Sequence, residues 1–122
     1  MADELTVGTS WTYSKNGSTR SLPAESAQWD VSGSGKIENI QNIGFAAHEA
    51  LILGEVATPG FAYFKNLDAT NYVQIGVDVA AAFVPFVKLL PGQSAQVWLG
   101  TTAPYAKANT GAVLLDYMIA DV

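Results

Sequence analysis

The sequence predicts an all-β protein, an antiparallel β-sandwich or jelly-roll-like barrel carrying an N-terminal β-hairpin arm. Three observations predict it. Glycine, proline, asparagine and serine punctuate the chain about every ten residues. The segments between them are short and rich in aromatic and β-branched side chains. The one stretch with a helical composition, "VDVAAAFVPFVKLL", carries Pro85, which would break a helix after two turns.

The elements follow in order. Leu5, Val7, Thr9, Trp11 and Tyr13 alternate with Thr6, Gly8, Ser10, Thr12 and Ser14, the period-two pattern of a strand with one buried face. "KNGS" at 15–18 closes a hairpin, because Asn-Gly accepts the positive φ angles that a tight two-residue turn requires. The returning arm runs through Leu22, Pro23 and Trp29; Pro23 donates no ladder hydrogen bond and so marks an edge or a bend. "SGSG" at 32–35 is a flexible joint between the arm, 1–31, and the body, 36–122, of a single β domain.

The body reads as short runs at 36–45, 49–56, 60–65, 72–76, 83–89, 94–99 and 113–119. The alanines of "VDVAAAF" allow a short helix at the start of an otherwise extended run. "LPGQ" at 90–93 places Pro and Gly at the centre of a type II turn, expected to join two adjacent antiparallel strands. The closing run carries bulk on both faces, Val113, Leu115, Tyr117 and Ile119 against Leu114 and Met118, as a central or interface strand would.

Composition limits function. The 122 residues suffice for one domain with a core of its own. No cysteine is present, which excludes disulfides, thiolate metal sites and a cysteine nucleophile. Six basic residues against eleven acidic ones give a net charge of −5, the wrong sign for binding nucleic acid. No run approaches the ~20 apolar residues of a membrane helix, and the start lacks a signal-peptide pattern. Only 14% of residues are charged while 49% are hydrophobic, so part of the surface is expected to be covered by other subunits.

Candidate chemistry is sparse. His48 is the single histidine and would have to serve any imidazole mechanism; its setting in "AAHEAL" reads as a strand-end residue, and no Gly-x-Ser-x-Gly turn presents a nucleophile. Asp68, Asp78 and Asp116 sit among apolar neighbours, where capping a turn or facing solvent accounts for them. Asn66, Asp68, Thr70 and Asn71 offer oxygens, but not at calcium-loop spacing. Neither metal nor cofactor is expected. Trp11, Tyr13 and Trp29 are the candidate interface residues, since aromatics of this density anchor protein contacts; a sugar-stacking platform is the competing use.

The stretches "TPGFAYFKNLDATNYVQIG" at 58–76, "FVPFVKLLPGQSAQVWL" at 83–99 and "APYAKANTGAVLLDYMIAD" at 103–121 together resemble small structural proteins of tailed bacteriophages and prophages. The resemblance covers the C-terminal two-thirds of the chain. It departs at Gln93, where an acid is more usual, and in the first third, which carries no matching motif. It implies a non-catalytic virion protein packed in many copies. The expectation is a capsid decoration or cement protein on the outer surface of the virion, assembled in the host cytoplasm. It would bind the major capsid protein and copies of itself, a trimer being one arrangement, with no nucleic acid or membrane partner. The alternative is a tail accessory or carbohydrate-binding, receptor-binding module.

Overall fold

The computed structural model describes residues 4–31 and 35–122. The chain divides into two compact units, one within residues 1–32 and the other within 33–122. Residues 32–34 of the expected joint lie outside the described residues.

The first unit is a two-stranded antiparallel ribbon of β1 (Leu5–Lys15) and β2 (Ser18–Trp29). Lys15 faces Ser18 across a two-residue turn in which Asn16 has φ 52° and Gly17 φ 78°. Both angles lie in the left-handed region that Asn and Gly tolerate best, so the turn twists with the strands. Pairing slips between Thr9 and Trp11: Thr9 faces Glu25 but Trp11 faces Leu22, so Pro23 and Ala24 together oppose Ser10. The predicted bend at Pro23 is thus a β-bulge, a place where a missing N–H costs the ladder least. At the open end the backbone N–H of Val31 donates to Glu4 Oε1 at 2.9 Å.

The second unit is a sandwich of β3 (Lys36–Ile43), β4 (Glu49–Ala50), β5 (Pro59–Asn66), β6 (Val73–Val79), β7 (Ala82–Leu89), β8 (Ser94–Trp98), β9 (Tyr105–Ala108) and β10 (Val113–Asp121). One sheet has the order β3-β10-β5-β8 and the other β4-β9-β6-β7. Every connection except the β6–β7 hairpin passes from one sheet to the other. This is the strand order of a jelly roll.

Alternation builds the core. Ile43, Ala62, Phe64, Leu115, Tyr117 and Ile119 point inward from one sheet and meet Val73, Ile75, Leu89, Ala106 and Ala108 from the other. β10 lies between β3 and β5, the central position expected from its two bulky faces. Tyr117 is wholly buried, and its hydroxyl accepts a hydrogen bond from Asn39 Nδ2 at 3.1 Å. The same oxygen lies 2.7 Å from Ile52 O and 2.9 Å from Gln41 Oε1, two acceptors for its single proton. Gln41 also accepts from the Ile52 N–H and donates to Ala50 O and Glu49 Oε1. These bonds hold the irregular segment after β4 against the sheet and let Leu51 and Val56 enter the core. The expected strand at 49–56 shortens accordingly, because the side chains of Gln41 and Tyr117 take the hydrogen bonds that a neighbouring strand would.

Three further expectations change. The turn at 90–93 forms as predicted, with Gln93 N–H donating to Leu90 O at 2.9 Å and Gly92 at φ 80°, yet it joins strands of different sheets. Asn66 explains this, since its backbone N–H donates to Gln93 O and its carbonyl accepts from Gly92 N–H, drawing the turn across to β5. No helix forms at the alanine run. Ala80 and Ala81 make the two-residue β6–β7 turn with φ 53° and 70°, and Asp78 Oδ1 accepts from Ala81 N–H at 2.8 Å. β9 was not among the expected strands; "YAKA" is too short and alanine-rich to stand out.

Candidate interaction surface

Cross-strand register sorts the ribbon into two unlike faces. One carries Leu5, Val7, Thr9, Trp11 and Tyr13 from β1 opposite Trp29, Ala27, Glu25, Leu22 and Arg20 from β2, an aromatic-rich and mainly apolar side with Glu25 at its middle. The other carries Thr6, Thr12 and Ser14 opposite Gln28, Ser21 and Thr19. The alternation read from the sequence is therefore real, but the apolar face is not buried: Trp11, Tyr13 and Trp29 are 47%, 50% and 43% exposed. Trp11 and Tyr13 share one half of this face, while Trp29 lies at its far end beside Leu5. The Arg20 guanidinium sits 5.8 Å from the Trp11 ring centroid, a cation–π contact that occupies one side of the indole.

The polar knot at 66–71 is a turn whose groups are already engaged. Asn66, fully buried, donates from Nδ2 to Asn71 O at 2.9 Å and to Leu89 O at 3.0 Å, and accepts from Asp68 N–H at 2.8 Å. Asp68 Oδ2 accepts from the N–H groups of Thr70 and Asn71 at 2.9 and 2.6 Å. Those two donors hold the Asp68 carboxyl below its ordinary range, Asn71 contributing most. Thr110 Oγ1 donates to Asn71 Oδ1, tying the turn to the loop before β10. Phe64, Val73 and Ile75 flank the knot and are wholly buried.

His48 lies just before β4. Its Nε2 is 3.3 Å from Asp78 Oδ2, and its ring stacks on Phe83 at 5.3 Å and meets Tyr105 edge-on at 5.4 Å. This cluster fastens the segment before β4 to the β6–β7 hairpin, and Asp78 divides its two oxygens between His48 and the strained Ala80–Ala81 turn. Asp116 lies on the outward side of β10, in register with Ile40 and Lys65. Among the described residues no three His, Asp or Glu side chains converge as metal ligands would.

A second apolar surface escaped the sequence reading. Between the edge strands β7 and β8 runs an open groove of about 330 Å³ lined by Val77, Phe86, Val97, Trp98, Gly100 and Thr101. Phe86 and Trp98 are 52% and 50% exposed, and Trp98 leans edge-on against Phe61 at 5.3 Å. A signal existed: β8 places Ala95 and Val97 inward, so Trp98 falls on the outward side beside Ser94 and Gln96. A large indole on the polar side of a five-residue strand marks a contact surface. Compared with protein family models, curated proteins and solved structures, the chain matches none.

Proposed function

We propose that this chain is a non-enzymatic structural protein of a bacteriophage virion, a decoration or cement protein that binds the lattice of major capsid protein and stabilises the head. The observation that carries the reading is the ribbon, with an apolar aromatic face standing open on a two-stranded unit. A two-stranded ribbon gains little stability by itself in water, so one with an open aromatic face suits an element that is covered on assembly. Trp11, Tyr13 and Trp29 act as its anchors, because large rigid aromatics lose little entropy on burial. Repetition multiplies a modest contact, since each copy seated on a shell raises the effective concentration of the next.

Two features support the rest of the reading. The sandwich has the jelly-roll order that recurs in capsid and lectin domains, an analogy of fold alone. The sparse surface charge suits close packing of many copies.

Mixing the purified protein with empty heads, followed by sedimentation and electron microscopy, tests the proposal. Saturable binding at a fixed ratio to the head lattice is expected, weakened at least tenfold by the pair Trp11→Ser and Tyr13→Ser. Binding only to tails or cells, or to glycans in the absence of heads, overturns it in favour of the receptor-binding alternative.

A further inference from the structure

We infer that Asn16, in the turn of the ribbon, is a self-modification site. The backbone nitrogen of Gly17 attacks the Asn16 side-chain amide, and water then converts the residue to aspartate or isoaspartate. The step balances without oxidant or reductant. Gly17 N yields its proton to solvent and bonds to Asn16 Cγ; the bond from Cγ to Nδ2 breaks, and the amide nitrogen takes up a proton from solvent and leaves as ammonia. Water opens the resulting succinimide ring at either carbonyl. Opening between Cγ and the ring nitrogen restores the ordinary backbone with an aspartate side chain. Opening at the main-chain carbonyl instead routes the backbone through Cβ and Cγ, as isoaspartate.

Sequence and structure single out this position. Asn16 is the one asparagine in the chain followed by glycine; after the others come Ile40, Ile43, Leu67, Tyr72 and Thr110, whose side chains crowd the attacking nitrogen. Asn39 and Asn42 are also held in the β3–β10 ladder, and the Leu67 N–H, which would have to attack Asn66, donates to Leu114 O at 3.0 Å. At the tip of the ribbon the ladder ends where Lys15 faces Ser18, so both turn N–H groups lie beyond its last rung. Asn16 is exposed, and a Cβ on Gly17 would meet no atom within 4 Å, so water and base can reach the attacking nitrogen.

Cyclisation requires the backbone after Asn16 to rotate out of the closed turn. The ribbon allows this, because it is a two-stranded unit of its own. Such hairpins are marginally stable in water and close within about 1–10 μs, so they open often on the timescale of amide chemistry. Isoaspartate then adds a methylene to the backbone of a two-residue turn whose left-handed angles match the twist of the strands. The nearest pairs, Ser14 with Thr19 and Tyr13 with Arg20, loosen first. Trp11 and Tyr13 share that half of the ribbon, so the reaction weakens the attachment element from its tip, a consequence that rests on the reading of the ribbon as that element.

The test holds the purified wild type at 37 °C and at mildly acid, neutral and mildly alkaline pH, then follows the tryptic peptide 16–20 by mass spectrometry. A fraction with an acid in place of the amide should grow over weeks, faster as pH rises because base removes the Gly17 proton. It should take up heavy oxygen from labelled water and contain isoaspartate, detected by enzymatic methylation, at a rate within tenfold of that in a synthetic peptide 12–20. Asn16→Gly keeps a Gly-Gly turn and should show no such product. Asn16→Asp carries the charge without the methylene; its ribbon amides should exchange hydrogen as in fresh wild type, while those of aged wild type exchange several-fold faster and the sandwich is unchanged. Conversion more than a hundredfold slower than in the peptide, or spread equally over the other asparagines, overturns the inference, as does an aged ribbon that exchanges no faster than fresh Asn16→Asp. Head binding separates the two readings. A modified fraction, isolated by its extra charge, that binds heads as tightly as the unmodified protein sinks the consequence for attachment, and failure of the unmodified protein to bind heads sinks the decoration role alone.

Discussion

Asn66→Ala should be among the most damaging single changes in the sandwich, although it alters a polar residue at the end of a strand. The substitution removes three hydrogen bonds: to Asn71 O, to Leu89 O and from Asp68 N–H. At about 0.5–1.5 kcal/mol each, their net loss is about 3 kcal/mol. Leu89 O is then left in the interior without this donor, adding about 1 kcal/mol or more. The total is about 3–5 kcal/mol, a large share of the stability of a small domain. Asn66→Asp should be no milder, because it sets a carboxylate oxygen against two carbonyls. The Asp68→Ala change removes bonds at a partly exposed site and should cost less than either. Urea unfolding followed by tryptophan fluorescence measures this in a Trp11→Phe, Trp29→Phe background, where Trp98 alone reports on the sandwich. A loss below 1 kcal/mol for Asn66→Ala would refute the view that this side-chain amide joins the turn at 66–71 to the end of β7.

Replacing Ala80 and Ala81 by Asn and Gly should raise sandwich stability by about 1–2 kcal/mol, seen as a higher melting temperature, because both positions hold left-handed φ angles that alanine adopts at a cost. Gly76→Ala should lose about 3 kcal/mol or more in the same assay, since a Cβ there would lie 2.1 Å from Val84 O at the β6–β7 bulge, where backbone must move. Burial raises the Tyr117 hydroxyl above its ordinary value, against an opposing hydrogen bond donated by Asn39. The folded state thus keeps this proton more tightly than the unfolded one; stability from this group is complete below about pH 10 and falls above it. Tyr117→Phe should remove that alkaline dependence in pH-resolved urea titrations. Asp68 has the opposite sign: its lowered carboxyl contributes fully above about pH 4 and loses that contribution as acid protonates the folded form, a limb that Asp68→Asn should flatten.

What could be read from the sequence was local. Asn16-Gly17 and Pro91-Gly92 announced their turns through backbone preferences, and the alternation of β10 announced a buried central strand. Partner choice between strands was not legible, because adjacency in a jelly roll is set across the chain: β3 and β10 pair although some seventy residues separate them. Alternation at Trp11 and Tyr13 fixed which side chains share a face but not whether anything covers it, so the ribbon read as half-buried when its apolar side is open. The Ala80–Ala81 turn was hidden because alanine signals helix, and only Asp78 and the pairing of β6 with β7 impose the reverse turn. Trp98 was visible as a residue but not as half of a groove, since Phe86 reaches it from a strand of the opposite sheet.

The central place of β10 also shapes how the protein comes into being. The β1–β2 ribbon needs only neighbours in sequence and can close within microseconds of leaving the ribosome. The β3-β10-β5-β8 sheet cannot: until 113–121 are synthesised, β3 and β5 lack the strand between them and present open edges. Such long-range pairing is slow to form and exposes apolar edges while it waits. Each new chain would therefore carry an unsealed body until its last strand arrives, and copies made close together would meet with those apolar edges still open.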